Sequence, residues 1–149
     1  MRRIELSSIF ETPLGWAGVA TSEQGVCGIV LPKKEKKEVQ KELNRAEGRV
    51  TGTPALSPEG RGNVKTPDLL GKTVTLLQRY FSGECVPFDV PLDLRYYTPF
   101  QQAVWRAAAD IPYGETRSYA WIAKRIKKPR AARAAGQALG ANPVPIIIP

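Results

Sequence analysis

The stretch Arg117-Ser118-Tyr119-Ala120-Trp121-Ile122-Ala123-Lys124-Arg125-Ile126-Lys127-Lys128-Pro129-Arg130-Ala131-Ala132-Arg133-Ala134-Ala135-Gly136 decides how half of this chain folds. Serine is a helix-capping residue type, so Ser118 predicts a helix over 119–126. Pro129 and the two lysines before it interrupt that pattern, because proline removes a backbone donor and keeps its predecessor out of the helical region. A second helix is predicted from Ala131 to about Leu139. Two short helices joined by a tight turn read as a helix-turn-helix. The second helix is unusual for that motif, since Ala131, Ala132, Ala134, Ala135 and Gly136 offer methyl groups and bare backbone around one guanidinium. Reading base edges in a major groove takes side chains that donate and accept. Small side chains suit close approach to a narrow minor groove, with Arg133 reaching toward the base stack.

Working outward, the charge is concentrated in the same region. From Arg95 onward there are nine Lys/Arg against two acids, Asp110 and Glu115, whereas residues 1–94 carry thirteen basic and twelve acidic side chains. Seven basic residues and no acid lie between Arg117 and Arg133: Arg117, Lys124, Arg125, Lys127, Lys128, Arg130 and Arg133. A basic face of that kind is the footprint of a phosphate backbone and predicts steep salt dependence. The residues alone leave a second reading open, in which an alanine-rich helix simply packs on a neighbour and the cations form a solvated face.

Upstream, Thr98 is placed to cap a helix with Pro99 in its first turn and Phe100, Ala103, Val104 and Ala107 as its apolar stripe. Ile111-Pro112-Tyr113-Gly114 ends it. Residues 4–31 read as strands, with a hairpin turning at 21–25. Residues 33–47 read as a surface helix through Val39, Leu43 and Ala46, and 69–81 as a helix through Leu69, Val74, Leu77 and Phe81, stopped by Gly83. A flexible loop is expected over 48–67, where Gly, Pro, Thr and Ser predominate, and an extended connection over 86–94.

The chain has 149 residues, no histidine, and two cysteines, Cys27 and Cys85. Without histidine, these residues cannot assemble a Ser-His-Asp or Cys-His nucleophile, and the usual His-containing zinc sites are excluded. Two distant cysteines give neither a disulfide framework nor a metal cluster, so a reducing, cytoplasmic setting is expected. No apolar run approaches the ~20 residues that span a bilayer, and no long apolar stretch follows Met1 to mark a secretory signal.

Several spaced motifs together carry a family resemblance. They are Pro112-Tyr113-Gly114-Glu115-Thr116-x-Ser118-Tyr119, Ala131-Ala132-Arg133-Ala134-x-Gly136, and Gly140-x-Asn142-Pro143-x-Pro145-Ile146-x-Ile148-Pro149. With Phe100-Gln101, Val104-Trp105, Tyr80-Phe81-x-Gly83 and Thr12-Pro13-Leu14-Gly15-Trp16, they resemble the O6-alkylguanine-DNA alkyltransferases over most of the chain outside 48–67. The resemblance implies an α+β fold: a small N-terminal α/β domain of ribonuclease H type over 1–94, and a DNA-binding and alkyltransferase domain over 95–149 with a winged-helix-like helix-turn-helix. It implies single-turnover transfer of an alkyl group from O6-alkylguanine, or O4-alkylthymine, in double-stranded DNA to a cysteine, with the damaged base flipped out. No cofactor and no metal are implied. A monomer with a nucleoid-associated, cytoplasmic location is expected.

By that resemblance, Arg133 is the finger that fills the gap left by the flipped nucleotide. Tyr119 crowds the adjacent phosphate, and Ala131, Ala132, Ala134 and Gly136 form the minor-groove face. Lys124 and Arg130 are expected to hold phosphates. Asn142 joins the recognition helix to the active-site segment, with Leu139 and Pro145 near the alkyl pocket. The family's cysteine follows the segment that here ends at Pro149, so no catalytic residue is assigned, and neither Cys27 nor Cys85 matches its position. The three isoleucines Ile146, Ile147 and Ile148 belong in a core, so the polypeptide is expected to stop before its fold is finished, binding DNA at most. A non-enzymatic alkyltransferase-like module, with tryptophan in place of the cysteine, is the alternative. A sequence-specific transcription factor is disfavoured by the alanine-rich helix.

Overall fold

The computed structural model describes residues 4–48 and 66–149. They form two compact units that divide between Tyr96 and Tyr97. The first unit is built on a three-stranded antiparallel sheet, β1 (Leu6–Thr12), β2 (Gly15–Ser22) and β3 (Gly25–Lys33), in the order β1-β2-β3. The single hairpin expected over this region is therefore a meander with a further turn at Pro13-Leu14. There the Thr12 hydroxyl donates to the Gly15 carbonyl (2.8 Å) and accepts the Leu14 amide (3.2 Å). A side chain thus holds the turn, with Gly15 at φ 125° completing it.

Helices α1 (Lys36–Gly48) and α2 (Thr66–Phe81) pack on this sheet. Strand alternation assigns the faces. Ala20, Cys27 and Val30 meet Val39 and Leu43 of α1, with Ile9, Trp16 and Ile4 beside them. Gly18 lies directly beneath α1, where a Cβ would stand 2.6 Å from the Val39 side chain. Phe10, Ala17, Val19 and Ile29 point the other way and are also buried. α2 buries Leu69, Thr73 and Leu77. Thr73, absent from the predicted stripe, satisfies its hydroxyl on the Leu69 carbonyl at 2.7 Å. Gly83, at φ 93°, ends α2 as expected, with its amide on the Tyr80 carbonyl. Most of the loop expected over 48–67 lies outside the described residues, and its two ends belong to α1 and α2.

Two bulges shape the sheet. Ala20 pairs with Gly28 and Thr21 with Val26, which makes Cys27 the extra residue of β3 and turns its thiol into the α1 core. The extended segment after α2 then returns to β3. Val26 donates to the Pro91 carbonyl (2.8 Å) and accepts from the Asp93 amide (2.9 Å). Gly25 makes this approach possible: at φ 155° its missing Cβ would stand 2.5 Å from the Pro91 carbonyl oxygen.

Beside that contact sits a buried ionic cluster with no local sequence signal. The Asp93 side chain is fully buried and receives Arg95 through Nε (2.8 Å) and a terminal nitrogen (2.9 Å), and Ser22 through its hydroxyl (2.6 Å). Burial pushes the Asp93 carboxyl up, but the hydrogen bonds from Arg95 and Ser22 and the guanidinium charge outweigh it, holding the carboxyl below its ordinary value. Arg95 is correspondingly raised, chiefly by its bond to Asp93.

The second unit consists of α3 (Pro99–Ala109), α4 (Tyr119–Arg125), α5 (Ala132–Gly140) and a closing loop. Thr98 caps α3 as predicted, in a full capping box with Gln101. The buried face of α3 differs from the predicted stripe. Val104, Trp105, Ala107 and Ala108 are buried, while Phe100 and Ala103 are half-buried. Trp105 is the largest buried side chain; it donates its indole N–H to the Ala138 carbonyl of α5 (2.8 Å) and meets the Tyr97 ring edge-on. Ala123, Ala135 and Ala138 are buried with it, small enough to bring three short helices together. Among the described residues no helix is long and apolar enough to cross a membrane.

Candidate nucleic-acid interface

The helix-turn-helix forms where the sequence places it. Ser118 caps α4 by accepting the Trp121 amide at 3.1 Å. α4 is stopped just beyond its C-cap Ile126, where Lys127 takes φ 61° while donating to the Lys124 carbonyl (3.0 Å) and Lys128 donates to the Ala123 carbonyl (2.8 Å). This bond pair is the usual helix stop, but the left-handed position normally held by glycine is held here by lysine. Such a backbone costs about 1–2 kcal/mol in an L residue. It turns a cation outward at the corner between the two helices.

α5 begins one residue later than predicted. Ala131 is its N-cap and brings no side-chain hydrogen bond, so no capping oxygen occupies the start of the helix. Arg130, Arg133 and Ala134 are exposed, as is Lys124 on α4. Ala131 and Ala132 are half-buried, and Ala135 and Ala138 are the residues that α5 buries. The expected contact residues are thus spread over α4 (Lys124), the corner before α5 (Arg130, Ala131) and α5 itself (Ala132, Arg133, Ala134).

Tyr119 and Gly136 have a different relation from the one expected. Tyr119 is 55 % exposed. Its ring lies over Gly136, where a Cβ would stand 2.8 Å from Cδ2 and Cε2. Gly136 is thus the seat on which α4 rests its tyrosine, a packing role that the family motif does not declare.

Asn142 bridges the closing loop from both ends. Its Nδ2 donates to the Ile148 carbonyl (2.7 Å) and its Oδ1 accepts the Val144 amide (2.9 Å). Ile146 between them has φ 78°, an outlier for a β-branched residue. Val144 and Ile148 are fully buried on either side, while Ile146 and Ile147 are half-buried. Of the three isoleucines expected to belong in a core, Ile148 alone is fully covered within the described residues. Leu139, on α5 before this loop, and Pro145, at its middle, are half-buried.

The seven cations do not stand alike. Arg125 pairs with Asp110 (3.1 Å) and Arg117 with Glu115, so both acids of this unit are committed to arginines of the run. Both guanidinium groups also flank the Trp121 ring, each 5.6 Å from its centre. Lys124, Lys127, Lys128, Arg130 and Arg133 have no acidic partner among the described residues. Sequence reasoning missed this division because Asp110 lies before the break at 111–114.

Neither cysteine is near these elements in the chain. Cys27 is buried on β3 with its thiol directed at the Ala20 carbonyl, and Cys85 is exposed after α2. Among the described residues no group of three or more His, Cys, Asp or Glu side chains gathers as a metal site.

Family models match both units in order: the ribonuclease-like domain of 6-O-methylguanine DNA methyltransferase over residues 6–94, and its DNA-binding domain over 99–149. The chain belongs to the 6-O-methylguanine DNA methyltransferase family. The constitutive methylated-DNA–protein-cysteine methyltransferase of Bacillus subtilis is 37 % identical over 139 residues, covering 93 % of this chain and 74 % of that protein. The methylated-DNA–protein-cysteine methyltransferase of Mycobacterium bovis is 55 % identical over 83 residues, 56 % of this chain. The chain spans about half the length of the mycobacterial relatives it matches. Among solved structures, Mycobacterium tuberculosis OGT in complex with DNA aligns at a TM-score of 0.66 and 35 % identity, covering 96 % of this chain and 74 % of that one. Its two-domain fold, a ribonuclease-like domain followed by a helical DNA-binding domain, is the fold of this methyltransferase family member.

Proposed function

We propose that this protein serves direct repair of alkylated DNA, with the 97–149 unit recognising duplex DNA and extruding an O6-alkylguanine. The alkyl acceptor of that reaction is a cysteine other than Cys27 and Cys85, so the described residues supply recognition and extrusion rather than the transfer step. The observation that carries the reading is the α4–α5 edge: a small-residue helix with one exposed arginine, Arg133, surrounded by cations that have no acidic partner. Alanines 131, 132 and 134 let the helix backbone approach the floor of a minor groove, and Arg133 is long enough to enter the stack behind a departing base. Lys124, Lys127, Lys128 and Arg130 neutralise phosphates on either side. Tyr119, seated on Gly136, stands against the phosphate of the extruded nucleotide.

Extrusion is required because O6 of a stacked guanine is out of reach of a thiolate. It costs a few kcal/mol, less where alkylation has already weakened the base pair. The Asn142 staple fixes the 142–148 loop at the end of α5, with Leu139 and Pro145 toward the alkyl group. The ribonuclease-like domain over 6–94 supports the transferase over an alkyltransferase-like binding module consisting of the DNA-binding domain alone.

The test is a titration of duplex DNA, with and without O6-methylguanine, across a salt series, for the wild type and Arg133→Ala. Expected are binding that weakens steeply with salt, and an Arg133→Ala variant that keeps most phosphate affinity but loses the signal of a fluorescent base analogue placed at the lesion. Salt-independent binding, or an unchanged extrusion signal in the variant, would refute the reading.

A further inference from the structure

We infer that Asp110 and Glu115 act as electrostatic masks, holding Arg125 and Arg117 back from the phosphate backbone so that undamaged DNA is gripped by five cations of the basic run rather than seven. The inference rests on the DNA-binding reading above and deepens it. Both acids of this unit are paired with members of the run, Arg125 with Asp110 at 3.1 Å and Arg117 with Glu115. Both guanidinium groups also stand 5.6 Å from the centre of the Trp121 ring, which gives Arg125 on α4 and Arg117 just before its cap a common aromatic partner. Asp110 is also the C-cap of α3. A carboxylate there faces the negative end of the helix dipole and is the wrong charge for helix stability. Its position is accounted for by the arginine it engages.

The consequence is selectivity. Phosphate contacts add affinity for every sequence alike, whereas the extruded base is recognised only at a lesion. Each acid removes one cation from the sequence-independent part and adds a charge that the duplex repels. Lesion recognition through Arg133 and Tyr119 is left untouched, so less protein is held on undamaged DNA.

The slope of log K against log salt reads the number of phosphates neutralised, at about −0.9 per contact. Binding of undamaged duplex by the full chain is therefore measured over a salt series for the wild type and for Asp110→Asn/Glu115→Gln. A wild-type slope of about −4.5 and a double-variant slope of about −6.3 are expected. The variant's advantage should grow by about eight-fold per freed arginine for each tenfold fall in salt. Both acids are exposed and the replacements are near-isosteric, so the fold survives, and losing a carboxylate at the α3 C-terminus removes an unfavourable charge. Arg125→Gln supplies an independent reading: the slope is unchanged on the wild-type background but falls by about 0.9 on the Asp110→Asn background. A wild-type slope already near −6 that the double variant does not change would overturn the masks and leave DNA binding standing, as would an Arg125→Gln effect equal on both backgrounds. A wild type with no salt-dependent binding would refute the DNA-binding reading itself.

Discussion

Replacing Gly136 by alanine separates what this helix needs for stability from what it needs for function. In the middle of α5 the exchange favours the helical state by about 1 kcal/mol, because glycine has more backbone freedom to lose. Against that stands a new methyl group 2.8 Å from two ring carbons of Tyr119, where ordinary contact begins at 3.4 Å. The shortfall of about 0.6 Å cannot be absorbed by the helix backbone, but the ring belongs to a side chain 55 % exposed, and it can swing into solvent at little cost. Gly136→Ala should therefore leave the urea midpoint unchanged or raise stability by up to about 1 kcal/mol at constant m. Extrusion of a fluorescent base analogue should meanwhile fall toward the level of Tyr119→Ala. Combining the two changes should then add nothing, since both act through one ring. A loss of more than about 2 kcal/mol would show that Tyr119 is not free to move. Full extrusion in the stable variant would show that the seat of the ring is irrelevant.

Two further outcomes follow from the buried polar groups. Asp93 has its carboxyl held below the ordinary value in the folded state, so its contribution to stability is complete above the unfolded value of 3.8 and is lost as pH falls through the lowered one. Asp93→Asn should cost about 2 kcal/mol at neutral pH, less than the ~3–5 for a fully buried pair because Arg95 keeps 30 % of its side chain exposed. It should also flatten the acid limb of a stability–pH curve; a limb as steep as the wild type's would sink the assignment. Asn142→Ala removes two hydrogen bonds across the closing loop, worth about 1 kcal/mol each. Faster hydrogen exchange at the Val144 and Ile148 amides is expected, and exchange at the wild-type rate would mean that Ile146 keeps its strained backbone without the staple.

What was legible in the sequence divides along chemical lines. Capping residues act on amides two or three positions away, so Thr98 and Ser118 announced α3 and α4 directly, and Gly83 announced the end of α2. Features that depend on distant partners gave no such signal. Ser22 and Asp93 meet across 71 positions, and Arg125 finds Asp110 across 15. The periodic reading of α3 chose Phe100 and Ala103 where the fold buries Trp105, because an indole with its N–H satisfied by a carbonyl on another helix behaves as a core residue. The turn at Pro13-Leu14 does leave a signal, a proline followed two positions on by a glycine at φ 125°, but it is only two residues long and reads as part of one continuous strand. At the interface, the motif identified the residues but not their relations: that Gly136 seats Tyr119, or that two of seven cations are committed to acids, follows only from three-dimensional packing.

The indole of Trp105 also has a mechanical consequence. In the proposed function, driving the Arg133 guanidinium between stacked bases would push back on the helix that carries it, and α5 is only nine residues long. Its far end is fastened to α3 by the N–H of Trp105 on the Ala138 carbonyl, five residues beyond Arg133. That attachment would serve the proposed insertion as a backstop, tying the short helix to the longest one of its unit.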